Sequence, residues 1–158
     1  MRFRDLRDSL INFSPRFTVP DPKLWSVDRP YLYRAVTKIT VSGKIVDEYT
    51  TPFGIRYFSF DADNGFSLNG KWMKINGVCD HHDLGCLGSA VNKAAIRRQL
   101  VILKGMGCNA IRTSHNPPAP ELLDLCDELG LLVMDEAFDM WKRQKTPFDY
   151  HLVWDEWH

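Results

Sequence analysis

The chain has 158 residues, enough for one ordinary domain or for pieces of two. Its 44% hydrophobic and 25% charged residues are typical of a globular protein and argue against disorder. Because 20 basic and 20 acidic side chains cancel, we expect neither a nucleic acid nor a membrane as a partner. No apolar run approaches the ~18 residues of a membrane span. Residues 1–13 lack the apolar segment of a signal peptide, and the sequence predicts no cellular location.

Residues 13–60 have the pattern of short antiparallel strands. A first strand is expected at 17–19, just before a Pro-Asp-Pro break. The stretch 31–51 alternates in polarity around Ser-Gly-Lys, which predicts a β-hairpin. A further strand is predicted at 55–61, closed by Ala-Asp-Asn-Gly. This half of the chain therefore predicts a sandwich-like antiparallel fold.

After about residue 62 the pattern alternates between short apolar strands and helices. The predicted strands are 71–78, 109–113 and 131–136. Asn92 is the expected N-cap of the first helix and Gly107 its C′ glycine. Pro120 begins the second helix and Gly130 ends it. This βαβαβ pattern predicts a parallel sheet that is buried on both faces.

Polar side chains follow all three of these strands. They are Asp80, His81, His82 and Asp83 after the first, Arg112, Thr113, Ser114, His115 and Asn116 after the second, and Asp135, Glu136 and Asp139 after the third, with Trp141 beyond. The C-terminal ends of parallel strands meet at one edge, where barrel and open-sheet enzymes place their chemistry. The sequence therefore predicts a functional site at this edge.

Each of these side chains also has a purely structural explanation. His115 could satisfy its own turn, residues 80–83 could form a solvated loop, and Arg112 could pair with Glu136 as well as contact a ligand. A zinc site is disfavoured because its candidate ligands have no common zinc spacing: Cys79, His81, His82 and Cys86. All four cysteines are expected to be reduced and mostly buried: Cys79, Cys86, Cys108 and Cys126.

Residues 108–141 read CNAIRTSHNPPAPELLDLCDELGLLVMDEAFDMW, which resembles the first signature of glycoside hydrolase family 2. The resemblance includes the Arg-Thr-Ser-His-Asn-Pro run and the apolar strand that follows the helix. It extends upstream to residues 22–39 and 53–85, and covers about 14–158. Residues 1–13 resemble nothing in the family and are interpreted as a helical start. The motifs HHDLG, HNPPAPE and DEAFDMW are most similar to those of the β-galactosidase-type members.

This resemblance implies a mixed fold of two partial domains. Residues 1–62 would form the C-terminal part of an immunoglobulin-like β-sandwich. Residues 63–158 would form the N-terminal part of a TIM-barrel catalytic domain, with the first three strands of an incomplete (β/α)8 barrel. The resemblance also implies a set of substrate-binding residues: His81, Arg112, His115, Asn116, Asp135, Glu136, Asp139 and Trp141.

The family's retaining mechanism uses one Glu as acid/base and another as nucleophile, about 5 Å apart. The acid/base Glu follows an Asn in the family, and the chain contains no Asn-Glu dipeptide. We therefore expect a fragment with no catalytic residue of its own, inactive without the remainder of the parent enzyme. Some members bind magnesium after the third strand, where this chain reads Asp139-Met140-Trp141, so no metal or other cofactor is expected.

The resulting hypothesis is a fragment of a retaining glycosidase that acts on terminal non-reducing β-D-galactosides. Its expected partners are a β-linked oligosaccharide or glycoside and the remainder of the parent enzyme. The same resemblance leaves β-glucuronidase or β-mannosidase specificity open. Two further alternatives are a non-catalytic carbohydrate-binding or structural fragment and the product of a non-functional gene remnant.

Overall fold

The computed structural model describes residues 14–158, and the helical start expected at 1–13 lies outside the described residues. The strands are β1 Tyr33–Val41, β2 Lys44–Phe53, β3 Phe58–Asp61, β4 Gly65–Leu68, β5 Lys71–Trp72, β6 Gly77–Asp80, β7 Ala110–Thr113 and β8 Leu132–Met134. The α-helices are α1 Lys93–Gly105, α2 Pro120–Leu129 and α3 Trp154–Trp157, with 3-10 turns at Gly85–Leu87 and Tyr150–Leu152. No helix of residues 14–158 is long and apolar enough to cross a membrane.

The predicted hairpin is confirmed as β1 and β2. The two strands pair antiparallel from Tyr33 opposite Phe53 to Val41 opposite Lys44. Ser42 and Gly43 form the turn with φ of 51° and 79°, and positive φ at both central residues is the requirement of a tight I′ hairpin turn.

The strand expected at 17–19 is wrong, because these residues form no regular structure. Phe17 is 80% exposed, and no strand of the described chain pairs with this segment. Pro20 follows directly and has no N–H to donate to a sheet. The short apolar run at 17–19 is therefore not sufficient to form a strand.

The second antiparallel sheet has the order β3-β4-β5. It confirms a strand within 55–61 but contradicts the single strand expected at 71–78. That stretch divides between β5 and β6, which belong to different sheets. The Asn109 side chain causes the break: it accepts the N–H of Asn76 at 2.8 Å and donates to the carbonyl of Lys74 at 2.9 Å. The Lys74 carbonyl and the Asn76 N–H, between β5 and β6, therefore bond to a side chain rather than to a neighbouring strand.

The βαβαβ unit is confirmed as a parallel sheet of order β6-β7-β8 with α1 and α2 as its crossovers. Asn92 accepts the N–H of Ala95 at 3.0 Å and caps α1, as predicted. Gly107 follows α1 with φ of 94°, and Gly130 follows α2 with φ of 76°. Pro120 is the first residue of α2, where the N–H it lacks would have no helical partner.

Within residues 14–158, helices cover only one face of the parallel sheet. Its main core lies on that face and consists of Ile96, Leu100, Ile111, Leu122, Leu125, Cys126 and Leu131. The opposite face borders an open cavity of about 500 Å³, across which lie Phe58, Phe60 and Phe66 of the β3–β5 sheet. Burial on both faces, expected from the apolar strands, is therefore wrong for the described chain.

The expectation of mostly buried thiols is also wrong. Cys79 and Cys86 are exposed and Cys108 is half-buried, whereas Cys126 is buried in the core. All four are free thiols, as expected. Burial, with nearby carboxylates as smaller influences, raises the pKa of the Cys126 thiol to about 12, so this side chain acts as an apolar core residue.

Trp25 connects the antiparallel part of the chain to the helices. Its side chain is 1% exposed, its Nε1 donates to the carbonyl of Asp127 at 2.8 Å, and its backbone N–H donates to Ile55 at 2.8 Å. The Arg56 guanidinium lies 4.7 Å from the indole ring centre. Asn69 donates to the Trp25 carbonyl at 2.9 Å, so this one residue contacts three separate segments.

A second connection lies beside it. Lys104, near the end of α1, donates to the carbonyl of Val27 at 2.8 Å and to that of Gly130 at 3.0 Å. A Cβ added to Gly130 would lie 2.4 Å from the Val27 oxygen, so the two backbones approach at a distance only glycine permits.

Three glycine-to-alanine changes measure this approach. Gly130→Ala combines positive φ with the clash on Val27 and should lower the free energy of unfolding by about 2–4 kcal/mol. Gly107→Ala has positive φ but open space, so it should cost only about 1–2 kcal/mol. Gly105→Ala has neither problem and should be neutral or stabilising by up to about 1 kcal/mol. Urea unfolding checks the order, and equal losses at Gly130 and Gly107 would contradict the close approach.

Candidate functional site

The C-terminal ends of β6, β7 and β8 lie side by side, as the parallel order requires. The last backbone pair of β6 and β7 is Asp80 with Thr113, and Ser114 then donates its N–H to the Asp80 carbonyl at 3.0 Å. The peptide bond between Ser114 and His115 is cis. The polar residues expected at this edge are therefore brought to neighbouring positions.

Glu136 is the centre of the site. Its Oε1 accepts from Arg112 Nε at 2.5 Å, and its Oε2 lies 2.7 Å from His115 Nδ1. The ion pair that the sequence suggested between Arg112 and Glu136 is therefore present. The hydrogen bond from Arg112, followed by that from His115, holds the pKa of the Glu136 carboxyl below its usual value.

Arg112 spans all three strand ends. Besides Glu136 after β8, its Nη1 lies 3.7 Å from Cys79 Sγ on β6 and its Nη2 lies 3.3 Å from His115 Nδ1 after β7. The hydrogen bond to Glu136 is the main reason that the pKa of the guanidinium rises above its usual value. About 41% of the side chain stays exposed and it also lines the open cavity, so Arg112 both pairs internally and borders solvent.

Two histidines form the exposed part of this cluster. The rings of His81 and His115 meet edge to face, with centres 5.6 Å apart and an interplanar angle of 87°. His81 is exposed and 40% of the His115 side chain is accessible. Both imidazoles can therefore contact a ligand while Glu136 and Arg112 support one of them from behind.

The other predicted site residues lie further from this cluster or contact it weakly. Asp135 Oδ1 is 3.5 Å from Thr113 Oγ1. Asn116 and Asp139 are exposed, and neither hydrogen-bonds to the cluster within the part of the chain described. Trp141 is 66% exposed and stacks on Trp154 with ring centres 5.8 Å apart. Their role in ligand binding stays a prediction.

Thr113 and Cys79 belong to the site but were not chosen as site residues from the sequence. Thr113 is 5% exposed, and its Oγ1 accepts the N–H of Glu136 at 2.9 Å. Its place directly after Arg112, on the opposite face of the same strand, was the available signal. Cys79 had none, because its contact with Arg112 depends on the register between β6 and β7.

Asp80 lies behind the cluster, between the sheet and α1. Its Oδ1 accepts from Gln99 Nε2 at 3.2 Å. Burial raises the pKa of the Asp80 carboxyl, an effect that the nearby His81 partly opposes. Among residues 14–158 no group of three or more His, Cys, Asp or Glu side chains is arranged to hold a metal ion, and the disfavoured zinc ligands are not gathered.

Comparison with known proteins identifies two matching family descriptions. "Glycosyl hydrolases family 2, TIM barrel domain" matches residues 62–147, which is more than half of the chain. "Glycosyl hydrolases family 2" matches residues 3–56, so the likeness to the family begins earlier than the expected residue 14.

Individual relatives agree with these matches. The β-galactosidase BoGH2A of Bacteroides ovatus is 63% identical over 146 residues, which are 92% of this chain and 17% of that protein. A β-glucuronidase of Bacteroides fragilis is 35% identical over 119 residues, 75% of this chain and 17% of that protein. The crystal structure of a β-glycosidase from Bacteroides vulgatus superposes with a TM-score of 0.81 at 47% identity, covering 86% of this chain and 18% of the other. The chain thus spans less than a fifth of the length of these proteins.

The Glu136 contacts predict how stability depends on pH. A carboxyl whose pKa is lowered by folding contributes stability above its usual value of 4.5, and that contribution is lost as the pH falls through the lowered value. Glu136→Gln should therefore lower the urea midpoint at about pH 7, and its deficit relative to the wild type should shrink as the pH is lowered from 4.5 through the lowered pKa.

Glu48→Gln is the matched control for this prediction. Glu48 pairs with Lys38 at 3.0 Å, but about half of each side chain is exposed, so the change should alter the midpoint little at neutral or acid pH. Urea unfolding followed by circular dichroism measures all three proteins. A deficit of Glu136→Gln that persists unchanged in acid would show that the carboxylate charge is not what stabilises the cluster.

Proposed function

The chain belongs to glycosyl hydrolase family 2, and on this premise we propose that it forms the substrate-contacting part of a retaining glycosidase for terminal non-reducing β-D-galactosides. The 63% identity to a β-galactosidase supports this choice of sugar. The proposed substrate contacts are His81, Arg112, His115, Asn116, Asp135, Glu136, Asp139 and Trp141.

The proposal includes an architecture. Residues 1–62 would contribute the end of an immunoglobulin-like sandwich, and residues 63–158 the first three strands of a TIM barrel. The match of the family's TIM-barrel description to residues 62–147 supports this division. So does the open face of the β6-β7-β8 sheet, because a barrel strand presents one face to the helices and the other to the barrel interior.

The charges at the strand ends support a neutral sugar rather than a uronic acid as the proposed substrate. Arg112 is the cation in contact with His115, and its charge is cancelled by Glu136 at 2.5 Å. Asp135 adds a carboxylate near Thr113, with 3.5 Å between Asp135 Oδ1 and Thr113 Oγ1. A glucuronide bound at this cluster would have to displace Glu136 from Arg112, which is costly, or find its cation elsewhere in the enzyme. Galactoside hydroxyls need only hydrogen-bonding partners.

The same contacts argue that Glu136 positions other groups rather than acting in catalysis. A glycosidase acid needs a raised pKa, and the nucleophile needs a free oxygen about 5 Å from that acid. Glu136 has a lowered pKa and uses one oxygen on Arg112 and the other on His115. We assign neither catalytic carboxylate to the described residues, and propose that further chain of the same enzyme supplies both.

Binding by the full 158-residue chain tests the proposal. Ligand-observed NMR should detect methyl β-D-galactoside, and methyl β-D-glucuronide should bind more weakly. His115→Ala should weaken galactoside binding by up to about tenfold, the effect of one lost hydrogen bond. His82→Ala, a change of the same residue type in the neighbouring loop after β6, should leave the affinity unchanged.

Turnover provides the second measurement. The purified chain should not hydrolyse 4-nitrophenyl β-D-galactoside above the blank, because we assign it no catalytic carboxylate. Hydrolysis that His115→Ala abolishes would contradict the assignment of binding without catalysis. Tighter binding of the glucuronide than of the galactoside would instead favour the β-glucuronidase alternative.

A further inference from the structure

Thr113 joins the ends of two strands through its side chain. The last backbone pair of β7 and β8 is Arg112 with Met134, so the N–H of Glu136 lies beyond the strand ladder. The Thr113 hydroxyl accepts this N–H at 2.9 Å. Its own hydrogen is within reach of two acceptors at 3.5 Å, the Met134 carbonyl and the Asp135 carboxylate. The Thr113 hydroxyl thus accepts the N–H that a backbone carbonyl would accept in a continued strand pair.

Arg112 and Thr113 hold Glu136 from opposite faces of β7. Successive side chains of a strand point to opposite faces, and here Arg112 lines the open cavity while Thr113 is 5% exposed. Arg112 bonds to the Glu136 carboxylate and Thr113 to its backbone N–H. Glu136 is therefore held both at its carboxylate and at its backbone N–H. These two contacts orient the carboxylate towards His115.

The fixed carboxylate determines which nitrogen of His115 carries the proton. Glu136 is ionised, since its pKa is lowered, and an ionised carboxylate can only accept. Its Oε2 lies 2.7 Å from His115 Nδ1, so Nδ1 must be the donor. The Arg112 Nη2 contact with the same nitrogen is longer, at 3.3 Å, and brings two donors together without a bond.

In the uncharged ring, a proton on Nδ1 leaves Nε2 as an acceptor. The charged or titratable groups that face this ring are Glu136, Arg112 and the edge of His81. None of them occupies Nε2 within the part of the chain that the structure describes. About 40% of the side chain is exposed, so Nε2 is available to a ligand.

We propose that Thr113 is a positioning residue that acts through Glu136 to hold His115 in the Nδ1–H form, so that Nε2 accepts a hydrogen bond from a ligand hydroxyl. The ligand class that fits is a neutral polyol such as a sugar ring. The proposal rests on the proposed function for the identity of the sugar, but the state of the histidine does not depend on it.

Two substitutions separate the hydroxyl from the shape of the side chain. Thr113→Val keeps the volume and removes the hydroxyl, whereas Thr113→Ser keeps the hydroxyl and removes a methyl group. Nitrogen-15 NMR of the histidine-labelled full chain distinguishes a protonated from an unprotonated ring nitrogen. The wild type and Thr113→Ser should show the Nδ1–H form of His115, and Thr113→Val should shift towards Nε2–H.

The NMR result decides the positioning role by itself. An unchanged Nδ1–H form in folded Thr113→Val would overturn it. If Thr113→Val does not fold, the Thr113→Ser spectrum decides: retention of Nδ1–H supports a role of the hydroxyl, and its loss overturns that role. A merely structural threonine would alter the urea midpoint without altering the protonated nitrogen of His115.

Galactoside binding separates this inference from the proposed function. With methyl β-D-galactoside as the probe, Thr113→Val should bind about tenfold more weakly than the wild type, and Thr113→Ser within about twofold. If Nδ1–H is lost in Thr113→Val but the wild type binds no galactoside, the positioning role stands and the proposed substrate fails. If the wild type binds and Thr113→Val changes neither the proton nor the affinity, the positioning role fails and the proposed substrate stands.

Discussion

The burial of Trp25 is the interaction on which the arrangement of the described chain depends. A buried Trp removes about 150–250 Å² from water, worth about 4–6 kcal/mol at ~25 cal/mol per Å². Its N–H donates to the Asp127 carbonyl in α2, while its backbone bonds to Ile55 and Asn69 beside β3 and β4. No backbone ladder joins these antiparallel strands to the parallel sheet. The indole, supported by Lys104 nearby, provides the connection that strand pairing does not.

The strand ends of the parallel sheet show the same reliance on side chains. Among residues 14–158 no helix lies against the open face of the sheet, so within this range helices pack on β6, β7 and β8 from one side only. At the C-terminal edge, hydrogen bonds from Arg112 and Thr113 to Glu136 continue the connection beyond the last backbone pair. Arg112 and His115 bind Glu136 here and also keep 41% and 40% of their side chains exposed. The polar cluster therefore connects the strand ends and remains open to solvent.

Local signals account for what the sequence predicted correctly. Asn92, Gly107, Pro120 and Gly130 begin or end helices through bonds and φ values within a few residues of themselves. The gathering of polar residues was predictable too, because parallel strands must end at one edge. The division of 71–78 was not, since it depends on Asn109, which is 33 residues from Asn76 along the chain. Long-range partners of this kind leave no local pattern.

The contacts within the polar cluster also include some that the sequence could predict and some that it could not. Arg112 and Glu136 were predictable as a pair, because an arginine in an apolar strand has to reach either a carboxylate or a wet cleft. The role of Thr113 was not, because a threonine at a strand end has many possible acceptors and donors, and only the β7–β8 register places it at the Glu136 N–H. The exposed position of Cys79 likewise follows from its place on the open face beside the cavity, which the apolar pattern of its own strand did not indicate.

The contacts of Glu136 also explain how binding and bond cleavage can be assigned to different carboxylates. A group that orients neighbours must stay ionised with its oxygens occupied, as Glu136 is by Arg112 and His115. A group that donates a proton must become neutral near its working pH, which requires the opposite surroundings. One carboxylate cannot meet both demands at once. In the proposed enzyme, a carboxylate surrounded as Glu136 is here would orient His115, while the proton transfer would require a carboxyl in less polar surroundings.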